Sequence, residues 1–296
     1  MLQNIRIEGE VGTIHLDGVN MKLVDGLDLS ALPTDLNYIE TVADGGIYQN
    51  TRFGPRPISM EVQIRHRFFN QSVQDNRRKT IYQILNPKTN PFRIFFEDST
   101  GDKFFINAYL QSTPTMKPDK KNNNAAFQKM LLQFIALDPL IYRAEEEAYT
   151  NYDVREEGFE FPLEILPDGI ELGRLSNLNQ IEINYLGAIT TGCVIRFDFR
   201  GPVSDVRMTN ERTGDFIQVN YDFILGDYLI INTYNGKKNV TLYREGRTFN
   251  LMGRLRVGSK FIQVLPGDNL MRITRNEGER ADILASVRLY ERYLGV

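Results

Sequence analysis

Residues 208–244, with the sequence MTNERTGDFIQVNYDFILGDYLIINTYNGKKNVTLYR, decide the fold class of this chain. They contain three segments of strand length, at residues 216–219, 228–233 and 239–244. The breaks at 225–227 and 235–236 carry Gly, Asp and Asn, and Gly and Asn tolerate the positive φ that tight turns require. We therefore predict two successive hairpins at the centre of a β-sandwich. No nucleophile stands beside a base here, so the stretch indicates a scaffold or a binding surface.

The bulk composition is that of a folded globular protein. Hydrophobic residues make up 42% of the 296 residues and charged residues 25%. Because domains cluster around roughly 100–150 residues, this length favours two domains. The formal net charge of -3 lacks the basic excess with which nucleic-acid-binding proteins displace counterions from phosphates. We therefore expect no specific nucleic-acid binding.

The sequence gives no sign of secretion or membrane insertion. The opening residues, MLQNIRIEGEVG, lack a cationic stretch followed by an apolar one, and no apolar run approaches the roughly 20 residues that span a bilayer. The single cysteine, Cys193, excludes an internal disulfide. We expect a chain that folds in the cytosol and is stabilised by packing and strand pairing.

Periodicity predicts the elements of the first half. The clearest strand is 58–65, where apolar and polar residues alternate. One amphipathic helix is predicted over 73–85, with the basic residues 77–79 on a solvated face, and Asn86-Pro87 ends it. The other predicted strands are 5–8, 13–16, 21–29, 92–97, 103–110 and 127–136.

Two segments are too polar and too rich in Gly, Pro or Asn for regular structure. We predict an extended loop over residues 42–57, for which contact with a partner and plain exposure remain equally open. Residues 112–124 contain two prolines, three lysines and three asparagines. This second loop should be mobile when isolated, and it is a candidate assembly contact.

A charged, strand-poor segment at 143–158 suits a linker, which places the first domain at 1–142 and the second at 159–296. Several short strands separated by turns, such as the turn at 266–269, indicate two packed antiparallel sheets in a jelly-roll or galectin-like sandwich. Besides those in 208–244, the strands predicted for this domain are 159–165, 181–185, 193–200, 206–208, 260–265, 271–275 and 287–293.

No catalytic or metal-binding group is predicted. His15 lacks neighbours at ligand spacing, and His66, at a strand end, is best explained as a hydrogen-bonded residue at the edge of the core. Cys193 shares a strand face with phenylalanines, which indicates packing rather than reactivity. The carboxylates available to a glycosidase are Glu211, Asp222 and Asp227. They lie at turns, where Asp is favoured for local hydrogen bonds, so we predict no enzyme activity, no cofactor and no metal.

Seven short motifs follow one another in an order similar to that of a known family. They are RPI at 56–58, LNP at 85–87, FIALDP at 134–139, NERTG at 210–214, GDYLIINT at 226–233, LPGDN at 265–269 and the segment 288–293. Each motif alone is ordinary turn and strand chemistry, and their order and spacing carry the likeness. Over essentially its whole length the chain resembles the distal tail proteins of long-tailed phages that infect Gram-positive bacteria.

The resemblance implies a mainly β protein with a split β-barrel-like first domain containing one helix, followed by a galectin-like antiparallel sandwich. It further implies a hexameric ring at the virion tail tip, assembled in the host cytoplasm, with DNA passing through the lumen. The implied partners are further copies of the chain, the tail tube protein, a tail-associated lysin or fibre protein, and receptor-binding or baseplate proteins. No membrane contact is implied.

In such a ring, the two irregular segments are natural places for a neighbouring subunit to bind. By loop composition, the predicted interface residues are Tyr48, Arg52, Phe53, Arg56, Lys117, Lys120, Lys121 and Asn123. The alternative function is a carbohydrate-binding sandwich that recognises host cell-wall polysaccharide. Such a site needs exposed aromatics, but the chain has no Trp and its 14 Tyr form no cluster in the sequence.

Overall fold

A computed structural model describes residues 3–25, 27, 29, 32–42, 44–65, 71–124, 126–155, 175–177, 179–277 and 282–295. The chain forms two units, each with its own hydrophobic core. Unit 1 comprises residues 1–145 together with 292–296, and unit 2 comprises residues 146–291.

Most of the described regular structure is β-strand. The strands before residue 145 are β1 (Gln3–Glu8), β2 (Thr13–Leu16), β3 (Met21–Asp25), β4 (Thr34–Glu40), β5 (Gly46–Phe53), β6 (Arg56–Arg65), β7 (Phe92–Glu97), β8 (Lys103–Leu110), β9 (Phe127–Ala136) and β10 (Ile141–Arg143). The later strands are β11 (Glu147–Thr150), β12 (Tyr152–Arg155), β13 (Leu175–Asn177), β14 (Gln180–Tyr185), β15 (Val194–Phe199), β16 (Val203–Asn210), β17 (Phe216–Phe223), β18 (Tyr228–Asn232), β19 (Asn239–Arg244), β20 (Arg247–Asn250), β21 (Gly267–Thr274), β22 (Ile283–Leu289) and β23 (Arg292–Tyr293). The helices are α1 (Gln71–Ile84) and two 3-10 turns, Pro87–Thr89 and Met252–Arg254.

Unit 1 is built on a curled half-barrel sheet with the strand order β2-β1-β7-β8-β9-β6-β3. Strand β6 shows why it forms: Ile58, Met60 and Val62 are at most 2% exposed and alternate with more exposed polar residues. Alternate residues of a strand point to opposite faces, so one face of β6 lies in the core. Its neighbour β9 buries Leu132 and Phe134 against the same core. The predicted split β-barrel-like architecture and its clearest strand, 58–65, are confirmed.

Helix α1 confirms the predicted amphipathic helix. Ile81 lies in the core of unit 1, as does Leu85 directly after the helix, and the Asn86 side chain accepts a hydrogen bond from the Lys88 N–H at 3.0 Å. The expectation of a solvated basic face is wrong for two of its three residues. Arg77 donates to the Arg65 carbonyl at 3.1 Å, and Arg78 donates to the Gln128 side chain at 2.6 Å. These guanidinium groups hold the helix to the ends of β6 and β9.

The predicted loop over 42–57 is wrong. Residues Gly46–Phe53 form β5, which pairs antiparallel with β4, and β6 already begins at Arg56. We call the β4–β5 hairpin the ribbon. Its turn contains Gly45 at φ 106°, a conformation that glycine adopts readily. The pattern was missed because every residue of β4 and β5 is exposed, so neither strand shows a buried face.

Unit 2 is an antiparallel sandwich. One sheet has the order β11-β22-β15-β18-β19-β20 and the other β14-β21-β16-β17, with a single core of buried residues from both. The sandwich is confirmed, and so is the hairpin between β18 and β19. The predicted hairpin between β17 and β18 is wrong, because these strands lie in different sheets. The backbones of Gly226 and Asp227 hydrogen bond to Phe199 on β15, so this turn carries the chain from one sheet to the other.

The predicted strand 260–265 is also wrong. Ile262 and Val264 are fully buried, which explains the apolar alternation, but the segment joins no sheet. Its one bridge runs from Val264 to Thr191. The predicted strand 159–165 and His66 lie outside the described residues.

The residue ranges of the two units differ from those expected, which were 1–142 for the first domain, 143–158 for the linker and 159–296 for the second domain. Strand β11 lies within the range expected to be a linker, and it pairs with β22 in the sandwich. Strand β23 lies within the range expected for the second domain, and it pairs with β10 in unit 1. A short strand is recruited by an available sheet edge, which the composition of the segment does not reveal.

Two asparagines join the NERTG and LPGDN motifs inside unit 2. Asn210 is fully buried, and its Nδ2 donates to the Gln263 carbonyl at 3.1 Å and to Asn269 Oδ1 at 3.3 Å. Asn269 in turn donates to the Leu265 and Gly267 carbonyls at 2.7 and 2.8 Å. Buried amides that meet their hydrogen-bonding needs in this way fix the loops that carry them.

The variant Asn210→Ala should lower the free energy of unfolding of unit 2 by about 2–3 kcal/mol, because it leaves buried partners unsatisfied. Chemical denaturation followed by circular dichroism measures this change. The matched control is Asn239→Ala, at an exposed position of β19, with an expected loss below about 0.5 kcal/mol. Equal losses for both variants would contradict the assigned role of Asn210.

Candidate assembly surfaces

The predicted interface residues fall in three places. Tyr48, Arg52 and Phe53 lie on the ribbon, and Arg56 is the first residue of β6. Lys117, Lys120, Lys121 and Asn123 lie in the segment 112–124, which we call the lysine loop.

The ribbon pairs Thr34 with Phe53 at its base and Glu40 with Gly46 near its tip. A cross-strand hydrogen bond joins the side chains of Asn37 and Asn50 at 2.6 Å, and within β5 the hydroxyls of Tyr48 and Thr51 lie 3.1 Å apart. At the root, the Gly54 N–H donates to the Pro33 carbonyl at 2.8 Å. The ribbon is therefore a regular hairpin, and it forms a two-stranded sheet of its own.

The ribbon exposes large apolar side chains on both faces. The exposed fractions are Leu36 60%, Tyr38 55%, Ile39 53%, Ile47 61%, Tyr48 61% and Phe53 45%. By strand alternation, Leu36 and Tyr38 share one face, whereas Ile39 lies on the other. An isolated two-stranded hairpin is marginally stable in water, and exposed apolar patches mark interaction surfaces.

Four of these six residues, Leu36, Tyr38, Ile39 and Ile47, were not predicted. The available signal was the sequence around Asp44 and Gly45, because Asp-Gly between apolar segments is a strong hairpin indicator.

Arg56 is placed differently from the other predicted residues. Its side chain is 1% exposed and donates to the Leu29 carbonyl at 2.9 Å and to the Leu294 carbonyl at 2.6 Å. In this structure Arg56 therefore stabilises the interior of unit 1. It lies two residues after the root of the ribbon. It offers no surface to another chain.

The lysine loop is fixed along β9. Thr115 bridges to Leu131 and Asn123 bridges to Gln128, so the loop is tied by its backbone. Asp119 caps the turn, and the hydrogen bond from the Asn122 side chain lowers the pKa of its carboxyl group. The three predicted lysines are exposed, and Asn123 is half-buried. The loop therefore presents a cluster of positive charge on a backbone that is fixed by its bridges to β9.

The carboxylates considered for a glycosidase have structural partners. Asp227 is 3% exposed and accepts from Arg244 Nη2 at 2.5 Å and from the Ile224 N–H at 3.0 Å. Its hydrogen bond raises the pKa of Arg244. For the other two, Asp222 accepts from the Ser204 hydroxyl at 2.6 Å, and Glu211 pairs with Arg272 at 2.6 Å. All three therefore stabilise turns and strand ends.

Cys193 lies in the core of unit 2, as predicted. It is fully buried, and its backbone N–H donates to the Thr233 hydroxyl at 2.8 Å. Burial raises the pKa of its thiol to about 12. The reactive species is the thiolate, so this thiol is inert at neutral pH. His15 lies exposed on β2.

Among the residues that the structure describes, no group of three or more His, Cys, Asp and Glu side chains could hold a metal ion. In the same part of the chain, no helix is long and apolar enough to cross a membrane.

The structure stacks two tyrosines that face each other across the β18–β19 hairpin. Tyr228 and Tyr243 stack with centroids 4.5 Å apart, and the Arg196 guanidinium lies 4.5 Å from the Tyr228 ring centre. Because β18 runs between β15 and β19, both faces of the Tyr228 ring are covered. This row stabilises the sheet, as cross-strand pairs do, and Tyr228 is no open stacking platform for a sugar.

Two family profiles match the chain. A phage tail protein RIFT-related domain matches residues 10–136, and the C-terminal domain of a siphovirus-type tail component matches residues 186–289. The two matches fall on units 1 and 2, respectively. No curated protein matches the chain by sequence.

Solved structures share the fold over the whole length. The chain is 13% identical to SPP1 Dit, a paradigm of the hub of the adsorption apparatus in phages infecting Gram-positive bacteria, with a TM-score of 0.68 over 98% of this chain and 99% of that one. A chain of the phage P2 baseplate in its activated conformation with calcium is 10% identical, with a TM-score of 0.59 over 100% of both chains. The corresponding baseplate with strontium gives 10% identity and a TM-score of 0.57 over 98% of both.

The variant Asp227→Asn should destabilise unit 2 by about 1–3 kcal/mol, because it weakens charge-assisted hydrogen bonds at a buried site. Thermal unfolding measures the effect. Asp222→Asn is the matched control. Asp222 is an exposed carboxylate, and it lies two residues before the start of the hydrogen-bonded turn that contains Asp227. Equal destabilisation of the control would contradict the claim that the Arg244–Asp227 pair stabilises unit 2 more than an exposed carboxylate does.

The Cys193 thiol should resist Ellman's reagent at pH 8 in the folded protein and react within minutes in guanidinium chloride, because burial keeps it protonated. Val257→Cys supplies the positive control, since Val257 is 96% exposed. That variant should react at one thiol per chain when folded. Rapid labelling of the wild-type folded protein would show that Cys193 is accessible.

Proposed function

The chain belongs to the distal tail protein family of siphoviruses, and we propose from this premise that six copies form a ring joining the tail tube to the proteins of the tail tip. Membership of this family makes it a structural protein of the phage tail and baseplate. In the proposed assembly, unit 1 builds the ring and unit 2 carries the adaptor surface.

The observation that carries this proposal is the exposed apolar ribbon. Taking about 200 Å² for a fully exposed large side chain, its six apolar residues leave on the order of 600 Å² in water. A standard protein interface buries about 800 Å² on each partner. The ribbon alone therefore supplies most of one side of a stable interface.

A ring needs heterologous contacts, in which one surface of a subunit meets a different surface of the next. The ribbon meets this need because it extends as a sheet of its own rather than pairing with the half-barrel. We assign the ribbon to the contact between copies, through Tyr48, Arg52 and Phe53 and through the cross-strand pair of Ile39 and Ile47. The lysine loop is the second proposed contact, through Lys117, Lys120, Lys121 and Asn123. Arg56 is assigned to the support of the ribbon root instead.

The proposed partners follow from the family. They are the tail tube protein on one side of the ring, and a tail-associated lysin or fibre protein on the other. Receptor-binding or baseplate proteins would dock on unit 2. DNA would pass through the lumen without specific binding, which suits a chain of net charge -3. Assembly would take place in the host cytoplasm, and the role is structural rather than enzymatic.

The double variant Ile39→Lys/Ile47→Lys tests the ribbon. Full burial of an exposed isoleucine contributes about 1.5–3 kcal/mol, and these two side chains are 53% and 61% exposed in the single chain, so the variant should weaken subunit association at least about tenfold. Light scattering measures the mass, and negative-stain electron microscopy shows whether six-fold rings form.

The matched control is Val257→Lys, which makes the same apolar-to-lysine change at a fully exposed position of unit 2. It should assemble like the wild type. Rings that persist in the ribbon variant would remove the ribbon from the interface, and a wild-type chain that stays monomeric with its tail partners present would refute the ring.

A further inference from the structure

Unit 1 is discontinuous in sequence. Strand β23 follows the whole of unit 2 along the chain, yet it pairs with β10, which pairs with β8 of the half-barrel. We call residues 292–294 the closing segment. Unit 1 therefore completes its sheet with residues that are synthesised after unit 2.

Side-chain contacts fix the closing segment in place. The Tyr293 ring packs edge-on against Phe104, with centroids 5.7 Å apart and an interplanar angle of 89°. Arg292 lies 3.4 Å from the Asp138 carboxylate, and its guanidinium is 5.5 Å from the Tyr142 ring centre. Tyr142 also stacks on Phe105 at 5.2 Å. The segment therefore covers aromatic side chains of β8 and β10.

The closing segment also forms a hydrogen bond with Arg56. The Leu294 carbonyl accepts a hydrogen bond from this buried guanidinium at 2.6 Å, as the Leu29 carbonyl does at 2.9 Å. A buried charge requires such partners, because leaving one unmet is costly. Arg56 also stands three residues after Phe53, the last residue of the ribbon. Removing the closing segment would therefore disturb the root from which the ribbon extends.

We propose that the closing segment controls assembly, so that unit 1 becomes competent for subunit contacts only once unit 2 has been made. The part concerning assembly rests on the ring role proposed above. Before residue 294 is present, Arg56 lacks one acceptor and β10 lacks a neighbour, and the ribbon root is not held. Afterwards Arg56 gains this acceptor and β10 gains β23 as a neighbour in the same step.

The order of synthesis explains why control of assembly by the closing segment would be useful. Unit 2 spans residues 146–291, and at about 5–20 residues per second its translation takes on the order of 10 s. The exposed apolar ribbons of neighbouring nascent chains would otherwise be free to associate during that time. A late closing segment withholds a firm ribbon until the chain carries its adaptor unit.

Hydrogen exchange on the full chain tests the proposal, using deletion of residues 292–296 and the milder variant Tyr293→Ala. In the deletion, amide protection in β8 and β10 should fall at least about tenfold, with a smaller fall for Tyr293→Ala. Protection in β15 and β18 of unit 2 should not change, which shows that the protein still folds. The matched control is Leu294→Ala, which keeps the backbone carbonyl and should behave like the wild type.

Ring formation by the same proteins, followed by light scattering, separates the two proposals. Loss of rings together with loss of β8 and β10 protection supports assembly control. Full protection or normal rings in the deletion would overturn it. If the wild type formed no rings while the deletion still lost protection, the ring proposal would fail, and closure of unit 1 by residues 292–294 would stand.

Discussion

Unit 1 depends on the burial of one positive charge. The Arg56 side chain is 1% exposed, and it reaches a carbonyl 27 residues before it and another 238 residues after it. Burial of an unpartnered guanidinium is costly, so both distant segments must be in place when β6 is. The first residue of β6, Leu29 and the closing segment are thus joined by a single side chain. A firm root with an exposed apolar ribbon is the geometry that a subunit contact requires.

Unit 2 also uses polar side chains to join distant segments through hydrogen bonds inside the fold. Asn210 joins Asn269, and Arg244 joins Asp227, in each case between segments that are separate in the sequence. Asn210, Asp227 and Asn269 belong to the NERTG, GDYLIINT and LPGDN motifs, respectively. Their hydrogen-bonding capacity is used inside the fold, and the turn carboxylate of Asp227 is one of the groups used in this way. A rigid sandwich with such ties suits the tail-tip role of the family.

The sequence predicted best where one face of a strand is buried. Strands β7, β8 and β9 lie at the residues predicted, and β6 alternates as expected, because local periodicity reports burial directly. It predicted the sandwich but not the partner of β17, since the turn after β17 does not reveal which sheet the next strand joins. The closing segment was predicted as the end of a single strand, 287–293, of the second domain, because a two-residue strand has no periodicity that would separate it from β22.

The surroundings of the proposed interface residues were predicted in part. Tyr48 and Phe53 were chosen for their setting among Gly, Pro and polar residues, but the segment was taken for a loop because a fully exposed strand has no buried face. Arg56 was taken for a surface residue, as arginine usually is, since nothing local shows that two distant carbonyls surround it. The lysine loop was correctly predicted as irregular, and the backbone bridges to β9 that hold it are long-range.

The central claim is that the ribbon is covered by a neighbouring copy in the assembled ring. Because Cys193 is buried, an Ile47→Cys variant carries a single accessible thiol, and its labelling rate can be compared between monomers and assembled particles. The account predicts rapid labelling in the monomer and a rate at least about 100-fold lower in the ring, as expected for a buried interface residue. Equal labelling of monomer and ring would show that the ribbon stays in water, and would contradict the account.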